Sequence, residues 1–174
     1  YDHAPYAVCE DLAYGYAAVL AHSPQCGKCF VLEFDGGNKD GIVKASHRSI
    51  KGKKMIVMAS NVGGDVADGQ VDILIPGGGV GEFNGCSNQW GTNDLGKQYG
   101  GFLSTCQDEQ NNWDDINALK DCVRKKCNSV FSGSGLKQLR DGCIWFVDWM
   151  NVADNPTFTR KEVPCPPELK QAYR

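Results

Sequence analysis

Apolar and polar positions change rhythm several times along the 174 residues. Over residues 5–22, Val8, Leu12, Tyr16 and Val19 recur at spacings of three and four, which predicts an amphipathic helix, or a helix with an entry turn. Glu10 and Asp11 stand early in it, where the helix dipole favours acids. Residues 29–34 alternate with period two and predict a strand, and Gly36-Gly37-Asn38-Lys39-Asp40-Gly41 predicts the turn after it. Met55-Ile56-Val57-Met58-Ala59 is an unbroken apolar run, the pattern of a strand buried on both faces. Residues 61–69 read as a polar loop and residues 70–75 as a strand stopped by Pro76 and three glycines. Residues 91–113 show no period and read as irregular loop. Residues 114–126 predict a surface helix capped by Asp114, with Ile116, Leu119 and Val123 as its apolar stripe. Residues 143–149 and 158–163 read as strands, and Pro164-Cys165-Pro166-Pro167 as a rigid turn. With no repeat, low-complexity tract or linker, residues 1–174 read as one domain.

Composition narrows the class. Net charge is −3, and no basic face marks a nucleic-acid partner. No run of 18 apolar residues predicts a membrane-spanning helix. The chain opens at Tyr1-Asp2-His3, as a mature or trimmed product does. Twenty-one glycines suit a β-rich fold with tight turns, and nine cysteines point to a secreted, disulfide-framed protein. A zinc reading of Cys26-Gly27-Lys28-Cys29 lacks a second such pair, and His3, His22 and His47 show no ligand spacing. No metal or organic cofactor is implied, and a monomer is expected. Because nine is odd, either one thiol is free or some partners lie outside this chain.

The chemistry concentrates in the run NVGGDVADGQVDILIPGGGVGEFNGC, residues 61–86. Asp65 and Asp68 sit in its glycine-rich loop, and Asp72 sits inside an apolar strand. Facing a cleft, Asp72 would be desolvated and its pKa raised, as a general acid requires. Facing solvent, it would be an ordinary polar-face acid. Paired carboxylates are the mark of glycoside hydrolysis, in which one acts as acid and the other as base or nucleophile. Tyr1, Tyr6, Trp90, Tyr99, Trp113, Trp145 and Trp149 stand near predicted loops or strand ends, where sugar rings could stack on them. Trp145 and Trp149, within an apolar segment, read as core.

The runs Gly52-Lys53-Lys54-Met55-Ile56-Val57, Gly63-Gly64-Asp65, Val71-Asp72 and Ile75-Pro76-Gly77-Gly78-Gly79-Val80-Gly81 closely resemble glycoside hydrolase family 45. So do Phe83-Asn84-Gly85-Cys86, Gly142-Cys143-Ile144-Trp145-Phe146 and Ala153-Asp154-Asn155-Pro156. These are secreted endo-β-1,4-glucanases. The resemblance implies a mainly β fold: a six-stranded double-psi β-barrel with a few helices and long disulfide-pinned loops. It implies hydrolysis of cellulose or another β-1,4-glucan with inversion, Asp72 as general acid and Asp65 as its helper on a mobile loop. Tyr6, Trp90, Gly78 and Gly79 are the expected sugar contacts. Gln70-Val71 stands where the family often has His-Phe.

The family's general base lies in an N-terminal Trp-Asp-Cys-Cys motif that this sequence does not contain, and Asp2 matches a non-catalytic position. The expectation is that the segment bearing this base is absent from the chain. The resemblance further implies disulfides Cys29–Cys165 and Cys106–Cys143. Cys122 and Cys127 are then expected to close a small loop, leaving Cys9, Cys26 and Cys86 to tie down the absent segment. A chain without the base would instead act as an expansin-like, non-hydrolytic glucan binder.

Overall fold

The computed structural model describes residues 3–173. Tyr1 and Asp2 lie outside the described residues. The strands are β1 (Tyr6–Cys9), β2 (Leu12–Leu20), β3 (Cys29–Asn38), β4 (Lys54–Gly63), β5 (Asp72–Ile73) and β6 (Pro156–Val163). They form one six-stranded sheet in the order β1-β2-β4-β3-β6, with β5 on β2. β2 and β4 run parallel, and the other pairs are antiparallel. The helices are α1 (Ala45–Ser49), α2 (Cys86–Trp90), α3 (Gly101–Gln110), α4 (Ile116–Val130), α5 (Lys137–Asp148) and α6 (Pro167–Ala172). The fold is therefore mixed α/β rather than mainly β.

The helix expected over residues 5–22 is a hairpin, with Glu10 and Asp11 in its turn. β2 is flanked by β4 on one edge and by β1 and β5 on the other. Ala13, Ala17 and Val19 enter one core while Tyr16 enters another, so both faces are apolar and the period of two is masked. Small residues suit so crowded a strand. A Cβ on Gly15 would lie 2.5 Å from Met55 Cε.

The strand expected at residues 143–149 belongs to α5. Leu139, Cys143 and Val147 recur every fourth residue toward a helical core, whereas Trp145 and Trp149 join the sheet core. An element wedged between two cores loses the polar stripe that marks a helix. The two indoles stack at 5.3 Å between centroids, which contributes about 0.5–1.5 kcal/mol beyond their burial.

Residues 91–113, expected as loop, contain α3, whose Phe102, Leu103, Cys106 and Gln107 form a buried stripe. Gly100-Gly101 at its start obscures the period. Gly101 is needed because a Cβ there would lie 2.0 Å from the Gly77 carbonyl oxygen. That approach lets the Phe102 N–H donate to Gly77 O at 2.8 Å, fastening the glycine run after β5 to α3. α4 is capped by Asp115, not Asp114: Asp115 Oδ1 accepts the Ala118 N–H at 3.0 Å.

Cys29 and Cys165 are bonded, joining β3 to the C-terminal turn. The other expected pairs are corrected to Cys106–Cys122 and Cys127–Cys143. Cys122 and Cys127 sit five residues apart on α4, so their side chains diverge by roughly 140°. One faces α3 and the other α5, and the two bonds link three helices in series. Cys9, Cys26 and Cys86 are free.

Candidate active site

β5 is short because it has little to pair with: Asp72 lies opposite Ala18 and Ile73 opposite Ala17. The Leu74 N–H then donates to Tyr16 O at 2.9 Å. Val71, Ile73 and Ile75 pack on the sheet core, and Leu74 packs with Tyr16, Met58 and Leu169 on the opposite side. Alternation therefore turns Asp72 away from the sheet core, and its side chain is exposed. Solvent reaches it, yet the surrounding protein withdraws enough water to push its carboxyl above the usual range. The negative charge of Asp65 pushes the same way, and Lys39 pulls back. Both sequence readings of Asp72 hold in part: it lies on the exposed face, and it is desolvated.

A register shift in the β2–β4 ladder falls beside this point, where Ala17 and Ala18 face Ala59 and Asn61. The unmatched Ser60 is a β-bulge, a common device for re-aiming a strand next to a site. Asp65 is exposed on the loop that follows β4, while Val66 anchors that loop by burial. Gln70 fastens its far end: Gln70 Oε1 accepts the Ala67 N–H at 3.3 Å, and the Gln70 N–H donates to Ala67 O at 3.1 Å. Gln70 thus closes a turn of the loop.

Tyr6 reaches the same face by a different strand. It pairs with Tyr14, and the rings meet edge-on at 5.9 Å. Tyr14 and Ala18 are four residues apart on β2, so Tyr6 and Asp72 are roughly 13 Å apart along one face. Tyr6 is 41% exposed, and burial of its phenol together with the charge of Glu168 raises its pKa. Trp90 does not join them. Its ring is half-buried edge-on against Phe131 at 5.5 Å, within the helical core. Gly78 and Gly79 are exposed, and Gly79 bridges to Tyr99.

Sequence reasoning passed over three groups. Lys39, read only as a turn residue, carries the positive charge that acts on Asp72. Glu82 brings Oε2 to 3.7 Å from where a Cβ on Gly64 would stand, so a further carboxylate abuts the Asp65 loop. Phe83 is 82% exposed. Its signal was an aromatic inside a glycine-rich run with no apolar neighbour to cover it.

The model of "Glycosyl hydrolase family 45" matches residues 2–172. The chain is 48% identical over 171 residues to "Endoglucanase B" of Cellvibrio japonicus, covering 97% of this chain and 33% of that protein. It is 37% identical over 172 residues to a "Putative endoglucanase type K" of Fusarium oxysporum, covering 97% of this chain and 36% of that one. The chain thus spans about a third of the length of these two relatives. Among solved structures, the cellulase of the Antarctic springtail Cryptopygus antarcticus superposes with a TM-score of 0.68 at 31% identity. The superposition covers 99% of this chain and 68% of the springtail chain.

Proposed function

Since the chain belongs to glycosyl hydrolase family 45, we propose that it forms the catalytic region of a secreted endo-β-1,4-glucanase that cleaves cellulose or a related glucan with inversion. Residues 1–174 are taken as one domain whose six strands curl into a double-psi barrel. The observation that carries the proposal is the placement of Asp72 on the two-residue edge strand β5, turned away from the sheet core, within a chain matched to the family over residues 2–172. Partial desolvation and the charge of Asp65 raise its pKa, the direction a general acid needs.

In this reading Asp72 delivers its proton to the departing glycosidic oxygen. Asp65 keeps that proton in place by its negative charge. Tyr6, about 13 Å away on the same face, stacks on a glucosyl ring further along the chain. Gly78 and Gly79, exposed on the glycine run after β5 and bridged to Tyr99, are proposed to offer backbone groups to sugar hydroxyls. Trp90, partly exposed and packed against Phe131, stays a proposed sugar contact away from the Tyr6–Asp72 face. An inverting reaction needs a second carboxylate roughly 6.5–9.5 Å from the acid, with water between them. We assign that role to an aspartate of the family's Trp-Asp-Cys-Cys motif, which none of the 174 residues spells. The free thiols of Cys9, Cys26 and Cys86 are the proposed anchors for such a segment.

The test is to incubate the protein, together with its base-bearing segment, with a soluble β-1,4-glucan, measure reducing ends and read the first-formed anomer by proton NMR. Release of α-anomeric ends supports the proposal. Release of β-anomeric ends contradicts inversion. Binding without release supports the expansin-like alternative.

A further inference from the structure

A shallow surface depression, most of its about 260 Å³ open to solvent, lies between α1, α3, the start of α4 and the segment after α5, and shares no lining residue with the Asp72 face. Leu119 and Leu103 supply an apolar floor, and Trp113 one wall. Trp113 is 49% exposed although it is the largest side chain there. The Lys44 ammonium stands 5.7 Å from the indole centroid and holds the ring in place. Lys44 also pairs with Asp154 Oδ1 at 3.6 Å, so its charge is locally matched. Asp114 and Asp154 supply the acidic part of the rim, with Gln107 buried beneath.

An exposed indole beside apolar side chains, flanked by Lys44, Asp114 and Asp154, fits a ligand with an apolar face and many hydroxyls. The one lysine against two aspartates disfavours an anion, and the polar flank disfavours a lipid. Its position narrows the ligand further. Lys39, whose charge acts on Asp72, and Lys44, at the depression, lie on one short segment between β3 and α1. The Lys39 N–H donates to Asn155 O at 2.9 Å, and Lys44 is paired to the adjacent Asp154. Five residues of backbone separate the two lysines, which sets their Cα atoms at most roughly 18 Å apart. One polymer chain of a few sugar units could touch both places.

We propose that the depression beside Trp113 is an accessory subsite for a β-glucan chain, holding glucosyl units outside the reaction centre. The inference rests on the glucanase reading of the Asp72 face. It makes Trp113 a binding residue for long substrates only, with no role in bond cleavage.

Cellohexaose is titrated into Asp72→Asn protein while the indole N–H signal of Trp113 is followed by NMR, assigned with Trp113→Tyr. A saturable shift is expected. Trp113→Ala should lower hydrolysis of polymeric cellulose by about two- to tenfold and leave cellotetraose turnover unchanged, and Trp113→Tyr should restore most of the loss. An unmoved Trp113 signal, or full polymer activity in Trp113→Ala, overturns the subsite. An equal loss on both substrates also overturns it, because it marks structural damage. If the Trp113 signal moves but wild-type protein hydrolyses no β-glucan, the glucanase reading fails and the binding site stands. If hydrolysis occurs and the signal stays still, the subsite alone fails.

Discussion

In the helical layer, α3, α4 and α5 are tied in series by Cys106–Cys122 and Cys127–Cys143 around a core that includes Phe102, Val123 and Phe131. On the sheet edge, β5 has two residues, the loops on either side are rich in glycine, and none of the three disulfides enters residues 61–85. The first region spends its contacts on rigidity. The second holds Asp72, Asp65 and Phe83 in the open, and is fixed by β5 on β2, by burial of Val66, by Phe102 on Gly77 and by the Val80 and Gly81 N–H groups donating to Gln98 O. Chemistry placed on a lightly held edge, backed by a cross-linked layer, can adjust to a polymer without loosening the fold.

That contrast can be broken most forcefully in the helices. Replacing Cys127 and Cys143 together by serine opens a bond of sequence separation 16, and should cost about 3 kcal/mol. Thermal unfolding reads the loss. Activity measured well below the new midpoint should stay near wild type, and a comparable loss of activity there would show that the two regions are not separable.

Charge substitutions sharpen the contrast at the site. Asp65 raises the pKa of Asp72 and Lys39 lowers it. A general acid works while protonated, so activity falls as pH rises through its pKa. Asp65→Asn should therefore move the alkaline limb of kcat/KM to lower pH, and Lys39→Gln should move it to higher pH. Shifts of the same sign in both variants would remove Asp72 from the role. The mildest probe is alkylation of native protein under non-reducing conditions. Cys9 and Cys26, both exposed, should react quickly and Cys86 slowly, since burial raises its thiol pKa. Mass spectrometry should count three modified residues for the 174-residue chain alone and none where a segment is disulfide-bonded through Cys9, Cys26 and Cys86; a count above three would contradict the disulfides described here.

Much of the site was legible because its chemistry is written in one contiguous run. An acid in an apolar strand before Ile75-Pro76-Gly77-Gly78-Gly79 marks the edge, and the structure adds how it is desolvated. β3, β4 and β6 were legible because their runs alternate or are continuously apolar. β2 and α5 were not, since each is buried on two sides and so shows no polar face to set a period. α3 hid behind Gly100-Gly101, a pair that reads as a turn but serves close contact with Gly77. The cysteine pairing failed for a geometric reason: a bond expected across five residues of α4 would need side chains that point apart. Lys39 was invisible as a site residue because it reaches Asp72 through space, from a turn more than thirty positions away.

The most direct test of the account is Asp72→Asn, assayed for release of reducing ends from a soluble β-1,4-glucan and for binding of a cello-oligosaccharide to the same preparation. The account predicts that hydrolysis falls by about 10²- to 10⁴-fold while binding is kept. The thermal midpoint at neutral pH should equal or exceed that of the wild type. A carboxyl whose pKa is raised in the fold adds stability only at low pH, and loses it as pH rises through the folded-state pKa. Unchanged hydrolysis in a folded Asp72→Asn protein would contradict the assignment of Asp72 as the acid.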